Sequence, residues 1–424
     1  MPKLKRSLGL FEATTYGVGI ILGAGIYALI GKAAGAAGNV VWMAFGLAAV
    51  IAALTGLSYA ELSSAFPKEA AEYVYAKKAF KSNKLAFLLG WLIIFTGCVA
   101  IATVSLGFAG YFSALFGVPI IPAAAALILI LSFLNFLGIK QSSNVNIVFT
   151  AIELLGLLII IFLGLSFFGS VNYFEAPAGF NGIFAAAILI FFAYLGFEDI
   201  VNVSEETKKP TKTIPKALLL SVVITSIIYI LVSISAVSIL PWQTLGESSA
   251  PLADVAGAAL PGSGFLLSVI ALFATANTVL ILLIVESRMM WGMACDCSLP
   301  KILSKVHLKR KTPYIAIFVA MGLALAFTAL ADISIVAKIT DVGAFIIFFS
   351  VNMSLIWLRL KKPRFKAPFR VPINIKNFPV LAGLGAVFCA FMLFQFELIL
   401  ILFVIGVLIS GVIAYKFINR GRQI

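Results

Sequence analysis

The chain has 424 residues, of which 62% are hydrophobic and 11% charged, and carries a net charge of +14 with a mean hydropathy of +1.11. Soluble domains run closer to half apolar and a quarter charged. A water-soluble protein is therefore excluded, and with it a disordered chain, a disulfide scaffold built on only 4 Cys, and a collagen-like repeat.

Stretches of about 17 to 25 apolar residues, the length that crosses a bilayer, predict twelve spans: 10–37, 40–66, 85–113, 120–139, 145–168, 182–203, 215–240, 262–291, 313–331, 335–359, 379–394 and 398–417. Their apolar character covers every helix face, as lipid-embedded or bundle-buried helices require. The period-two alternation of a membrane barrel is absent. No cleavable signal peptide is predicted, because the first stretch is long and lacks a small-residue cleavage site. Of the 31 Lys and Arg, all but Lys32 and Lys338 fall near the two termini or after even-numbered segments. By the positive-inside rule this predicts a multi-pass protein of the cytoplasmic membrane with both termini inside. The asymmetry accounts for the basic charge without nucleic acid. Cys98 and Cys389 fall within spans, Cys295 and Cys297 at a reducing cytoplasmic end, and His307 is the single histidine. No metal site and no cofactor is expected.

Segment 1 is dense in glycine: Gly17, Gly19, Gly23, Gly25 and Gly31. A phosphate loop fails because Gly31-Lys32 is followed by Ala33, and a dinucleotide fingerprint fails because Leu22 stands where its third Gly belongs. Two readings remain. One is helix packing through Gly19-xxx-Gly23. The other is a discontinuous helix, unwound over 22–25, whose freed N–H groups form a positive end for a carboxylate while the preceding carbonyls receive an ammonium. A zwitterionic amino acid suits the second. Segment 6 shows a matching interruption at Phe191-Phe192-Ala193-Tyr194-Leu195-Gly196-Phe197-Glu198-Asp199, with two acids where ionisable groups are costly. The two interruptions stand five segments apart, as the first helices of two five-helix repeats would.

These residues, taken in order, resemble the amino acid–polyamine–organocation superfamily of transporters, closest to its cationic-amino-acid-transporter-like prokaryotic permeases. The resemblance rests on Gly23-Ala24-Gly25-Ile26-Tyr27, Ser58-Tyr59-Ala60-Glu61-Leu62 with Phe66-Pro67, and Phe192 to Glu198. It continues through Glu205-Glu206 to Ile214-Pro215-Lys216-Ala217, Ser287-Arg288-Met289, Leu299-Pro300-Lys301, Lys311-Thr312-Pro313 and Pro368-Phe369-Arg370-Val371-Pro372. It implies an all-α membrane protein with the leucine-transporter fold and broken helices 1 and 6. The inverted repeats would be residues 1–168 and 169–360, with 361–424 appended. It also implies alternating access around a midplane amino acid site. Carried over, Ala24, Gly25 and Ile26 would offer N–H groups to the substrate carboxylate across the Gly23 break. Carbonyls of Ile21, Phe192 and Leu195 would hold the ammonium. Phe192 would gate, although Phe191 and Phe192 equally suit a core. Two cytoplasmic stretches depart from the family pattern, Ala70-Ala71 and Cys295-Asp296-Cys297-Ser298.

The candidate coupling acids are Glu153, in the apolar run Phe149-Thr150-Ala151-Ile152-Glu153-Leu154-Leu155, and Glu198. Relatives often carry Lys at the first position, so a carboxylate inverts the sign there. Glu153 would carry a proton or ligate sodium, or stand as a paired structural acid; Glu198 would couple protonation to occupancy or anchor unwound backbone. Glu61 is read as a structural partner at the inner end of segment 2. Lys32 is read as a snorkelling side chain, and Asn277 and Thr275 as helix–helix bonds or pocket lining. Segments 3 and 8 offer no acid at mid-depth, which favours a neutral amino acid. The favoured reading is a proton-coupled carrier of L-amino acids; the runner-up readings are a sodium-coupled or uncoupled exchanger, a carrier of cationic amino acids or polyamines, and a non-transporting sensor. An enzyme would need a catalytic cluster within the spans, and a channel a repeated pore loop; neither is seen.

Overall fold

The structure is a computed structural model that describes residues 8–67, 71–137, 143–295, 298–362 and 365–420, without the side chains of residues 71, 143–147, 202, 203, 205, 206, 419 and 420. Outside the description fall Ala70, the Asp296-Cys297 departure, the Glu205 and Glu206 side chains, and the basic groups of Lys3, Lys5, Arg6, Lys68, Lys140, Arg364, Arg420 and Arg422. Sixteen α-helices follow in chain order among the described residues. They are α1 (Leu10–Ile21), α2 (Ala24–Ala37), α3 (Val41–Ala65), α4 (Ala71–Phe80), α5 (Asn83–Phe116), α6 (Ile120–Leu137), α7 (Ser143–Gly164) and α8 (Gly179–Phe191). The second half holds α9 (Pro210–Ile239), α10 (Trp242–Glu247), α11 (Pro251–Ala259), α12 (Ser263–Cys295), α13 (Tyr314–Thr328), α14 (Ile333–Lys361), α15 (Val380–Leu393) and α16 (Leu398–Arg420). A small antiparallel hairpin, β1 (Asn374–Ile375) and β2 (Phe378–Pro379), pairs Asn374 with Pro379 and Ile375 with Phe378.

Where twelve spans are expected, the described residues hold nine helical runs long and apolar enough to cross a membrane and three shorter apolar helices. The difference has a local cause. The first expected span is cut after Ile21, and its second half runs through a 3-10 turn at Gly38–Val40 into α3, making one run of Ala24–Ala65. Helices α13 and α15, at 15 and 14 residues, are about 21–23 Å long, short of a hydrocarbon core of about 30 Å.

Local signals set the ends of the long helices. Ser82 caps α5 by accepting from the Leu85 N–H at 3.2 Å, and Asp332 caps α14 by accepting from Ser334 and Ile335, each satisfying N–H groups that the first turn leaves unpaired. Helix α1 lies against α7 and α9, α2 against α8 and α10, and α3 against α8 and α9; α5 lies between α12 and α14. The core runs through this bundle, while α16 presents Leu398, Ile399 and Phe417 outward as a lipid-facing helix does.

Near the C-terminal end of α3 sits a buried ion pair. Arg359 on α14 donates from Nε to Glu61 Oε1 at 2.7 Å and from Nη2 to Oε2. The Val371 N–H also donates to Glu61 Oε2, at 2.7 Å. Glu61 is thus the structural partner expected of it, and its cation comes from a helix almost 300 residues away in sequence.

Candidate functional site

The two interruptions in the helices touch each other. Helix α1 ends with the Leu22 N–H donating to the Val18 carbonyl, and α2 restarts at Ala24 with Gly23 before it. The break is Leu22-Gly23, narrower than the 22–25 expected, so Ala24 and Gly25 form the first turn of α2. Helix α8 ends at Phe191, passes through a 3-10 turn at Phe192–Tyr194, leaves helical geometry over 195–197, and resumes as a 3-10 run at Glu198–Glu206. A Cβ built on Gly25 would lie 2.4 Å from the Ala193 Cα, and one on Gly196 would lie 2.3 Å from Ile20 Cγ2. Gly196 also has a φ of +108°, a region that side chains avoid. Glycine at position 25 lets the start of α2 meet the Ala193 backbone, and glycine at 196 makes room for the Ile20 side chain near the end of α1.

The polar groups of the break are partly engaged. Ala24 donates its N–H to Thr278 Oγ1 on α12 at 3.4 Å, so the amides at the head of α2 without a partner in that helix's first turn reduce to those that follow, Gly25 and Ile26 among them. The Ile21 carbonyl accepts from the Tyr229 hydroxyl on α9, which also reaches the Ala193 carbonyl at 3.0 Å. One hydroxyl has one proton. It can donate to only one of these carbonyls at a time, and the other is left short of the donor that an ammonium would supply. The Phe192 carbonyl accepts from the Leu195 N–H at 3.2 Å and keeps a second lone pair.

Phe191 and Phe192 part ways. The Phe191 ring stacks on Phe345 of α14 at 4.3 Å and meets Phe348 edge-on; Phe197 and Tyr59 join the same aromatic group through Phe348. Phe192 is in none of the ring pairs of the described residues, and its side chain is buried beside the break. Glu198 accepts from the Gly196 N–H at 2.9 Å, so its carboxylate anchors the unwound backbone directly.

Glu153 lies beside the first break. On α7, Thr150 crowds Gly19 and Gly156 faces the Tyr27 hydroxyl, which brackets Glu153 between the end of α1 and the start of α2. The Tyr27 hydroxyl donates to the Glu153 carbonyl at 2.6 Å. The carboxylate is 1% exposed; Oε1 accepts from Asn277 Nδ2 at 3.5 Å, and Oε2 has no partner among the described residues. Thr275 instead donates to its own helix at Ala271, and Lys32 donates to the Gly246 carbonyl at 2.8 Å.

Segment 8 carries an acid that the sequence reading passed over. Glu286 of α12 is buried with its carboxyl pressed on Gly97, in the middle of α5. Its Oε2 has no partner among the described residues. Hydropathy averaged over a window hides one acid in an apolar helix, and only the packing of α12 on α5 brings it against Gly97. Sequence reasoning also missed Tyr229 and Thr278, which look like ordinary span residues until the fold turns them toward the breaks.

A helical, multi-pass membrane protein with two apposed broken helices is the class that fold and site define. The family described as amino acid permease matches residues 8–418, and the chain belongs to that family. It is 30% identical to the branched-chain amino acid permease of Bacillus subtilis over 98% of this chain and 94% of that protein. It is likewise 30% identical to the methylthioribose transporter of Bacillus subtilis, over 92% of this chain and 88% of that one. Human cationic amino acid transporter 4 is 30% identical across 85% of this chain and 60% of its own length.

Proposed function

We propose that this permease carries L-amino acids across the cytoplasmic membrane by alternating access, driven by a proton. The observation that carries the reading is the contact of the two breaks, Gly25 against Ala193 and Gly196 against Ile20. The free N–H groups of Gly25 and Ile26, at the positive end of α2, receive the substrate carboxylate, and the carbonyls of Ile21, Phe192 and Leu195 receive its ammonium. Phe192 closes over it. Two inverted five-helix repeats, residues 1–168 and 169–360, rock about this point, with 361–424 appended and both termini in the cytoplasm.

Glu153 is the proposed coupling group, because its second carboxylate oxygen is buried without a partner beside the first break. Glu198, already bonded to Gly196, anchors rather than couples. The test is radiolabelled amino acid uptake into proteoliposomes under an inward proton gradient, an inward sodium gradient, or neither. Each pH unit of gradient is worth about 1.4 kcal/mol, about tenfold in accumulation. Glu153→Gln is expected to lose proton-driven accumulation while counterflow exchange persists. Sodium dependence would reassign Glu153 to a sodium site. Gradient-independent uptake that survives the substitution would remove it from coupling.

A second expectation concerns Tyr229, the hydroxyl shared by both breaks. A neutral hydrogen bond contributes about 0.5–1.5 kcal/mol, so Tyr229→Phe is expected to lower transport efficiency about 2- to 10-fold with little change in protein yield. Unchanged uptake would mean that the hydroxyl does not tune either carbonyl during the cycle.

A further inference from the structure

Backbone amides and carbonyls recognise the groups that every amino acid shares, so the breaks cannot by themselves tell one side chain from another. Asp341 supplies a group that can. It is the ninth residue of α14, about 12 Å along the axis from the first, and is 0% exposed. Its carboxylate faces the Phe192 backbone without meeting hydrogen-bond geometry, and neither oxygen has a partner among the described residues. Phe345, one turn further along the same face of α14, stacks on Phe191 and holds Asp341 level with the second break. Gly343 lets α14 press on α5, where a Cβ would fall 1.9 Å from Thr96 Cγ2.

The cations of α14 are committed elsewhere. Lys338, one turn before Asp341, bonds Glu397 at 2.9 Å, Arg359 bonds Glu61, and Lys361, at the far end of the helix, lies over the Trp357 ring. A buried carboxylate with no counter-charge is among the costliest arrangements in a span, and a ligand that brings a cation removes that cost.

We propose that Asp341 is the specificity-determining carboxylate of the site and pairs with an amine or guanidinium on the substrate's side chain. This deepens the reading above and rests on the substrate's α-groups lying at the two breaks. A carboxylate takes a guanidinium through two parallel hydrogen bonds and an ammonium as a point charge, so arginine- and lysine-type side chains both fit. An aliphatic side chain leaves the carboxylate unpaired, and discrimination follows from that penalty.

The test measures lysine, arginine and leucine in parallel, by thermal stabilisation of the detergent-purified full chain and by proteoliposome uptake. The wild type is expected to respond to lysine and arginine at concentrations at least tenfold below those of leucine. Asp341→Asn, nearly isosteric, is expected to erase that preference with leucine binding kept or improved. Asp341→Glu, which keeps the charge and moves it by one methylene, is expected to retain a preference for basic over aliphatic side chains; it stands in should the Asn variant fail to fold. A wild type that prefers leucine, or an Asp341→Asn protein with an unchanged lysine-to-leucine ratio, overturns the proposal. So does an Asp341→Asn protein that loses all three ligands alike together with the ion dependence of uptake, because the carboxylate would then serve a coupling cation. Failure of the underlying site is read separately: Gly25→Ala that binds all three amino acids as the wild type does would remove the breaks as the binding place.

Discussion

Gly25→Ala is expected to abolish most transport while the protein still folds into the membrane. The added Cβ would lie 2.4 Å from the Ala193 Cα and 3.1 Å from its nitrogen. Those atoms belong to backbone, so no side-chain rotation relieves the clash, and the two broken segments must separate. Overpacking of this kind costs about 1–3 kcal/mol, which is about 5- to 150-fold in substrate affinity. Gly46→Ala makes the matched control: it lies in α3 with nothing within 4 Å of its Cβ position, and transport should be unaffected. Uptake and ligand-induced stabilisation, measured on protein of normal yield and monodispersity, separate a distorted site from a lost fold. Wild-type affinity in Gly25→Ala would mean that the contact between the breaks is not needed for binding.

Arg359→Ala is expected to be the most destabilising single change, by about 3–5 kcal/mol. The Arg359 and Glu61 side chains are 3% and 2% exposed. Removing the guanidinium leaves Glu61 buried with only the Val371 N–H bonded to it. The cost comes mainly from that uncompensated charge, so the order of effects is diagnostic. Glu61→Leu combined with Arg359→Met, which removes both charges, should melt at a higher temperature than Arg359→Ala alone, and a double-mutant cycle should show strong coupling. Equal melting temperatures for Arg359→Ala and the wild type would show that water reaches the pair. Because the pair ties α3 to α14 and to the chain before the β1–β2 hairpin, its loss should also loosen the packing of these elements.

The interruptions were readable from residue types because their causes are local. Glycine density around Gly23 and the acids after Gly196 violate what an uninterrupted span tolerates, and no neighbour is needed to see it. The extent of the first break was not readable: Ala24 already belongs to α2, and its N–H meets the hydroxyl of Thr278, which comes from another helix. Glu198 shows the same limit from the other side. Its presence beside the break is plain in the sequence, whereas its bond to the Gly196 N–H depends on a backbone conformation that only glycine at φ +108° adopts.

The sequence by itself determined that this is a multi-pass helical membrane protein of the amino acid permease family, and where its helices are interrupted. Bilayer thickness and the hydrogen-bonding demand of the backbone act on consecutive residues, so length and residue type suffice. Only the tertiary structure decided which groups meet at the interruptions. Tyr229 reaches Ile21 across 208 positions, Arg359 reaches Glu61 across 298, and Asp341 comes to Phe192 through the stacking of Phe345 on Phe191. Such pairings are set by the rotational register in which helices pack, and register is a property of the whole bundle that no single segment encodes.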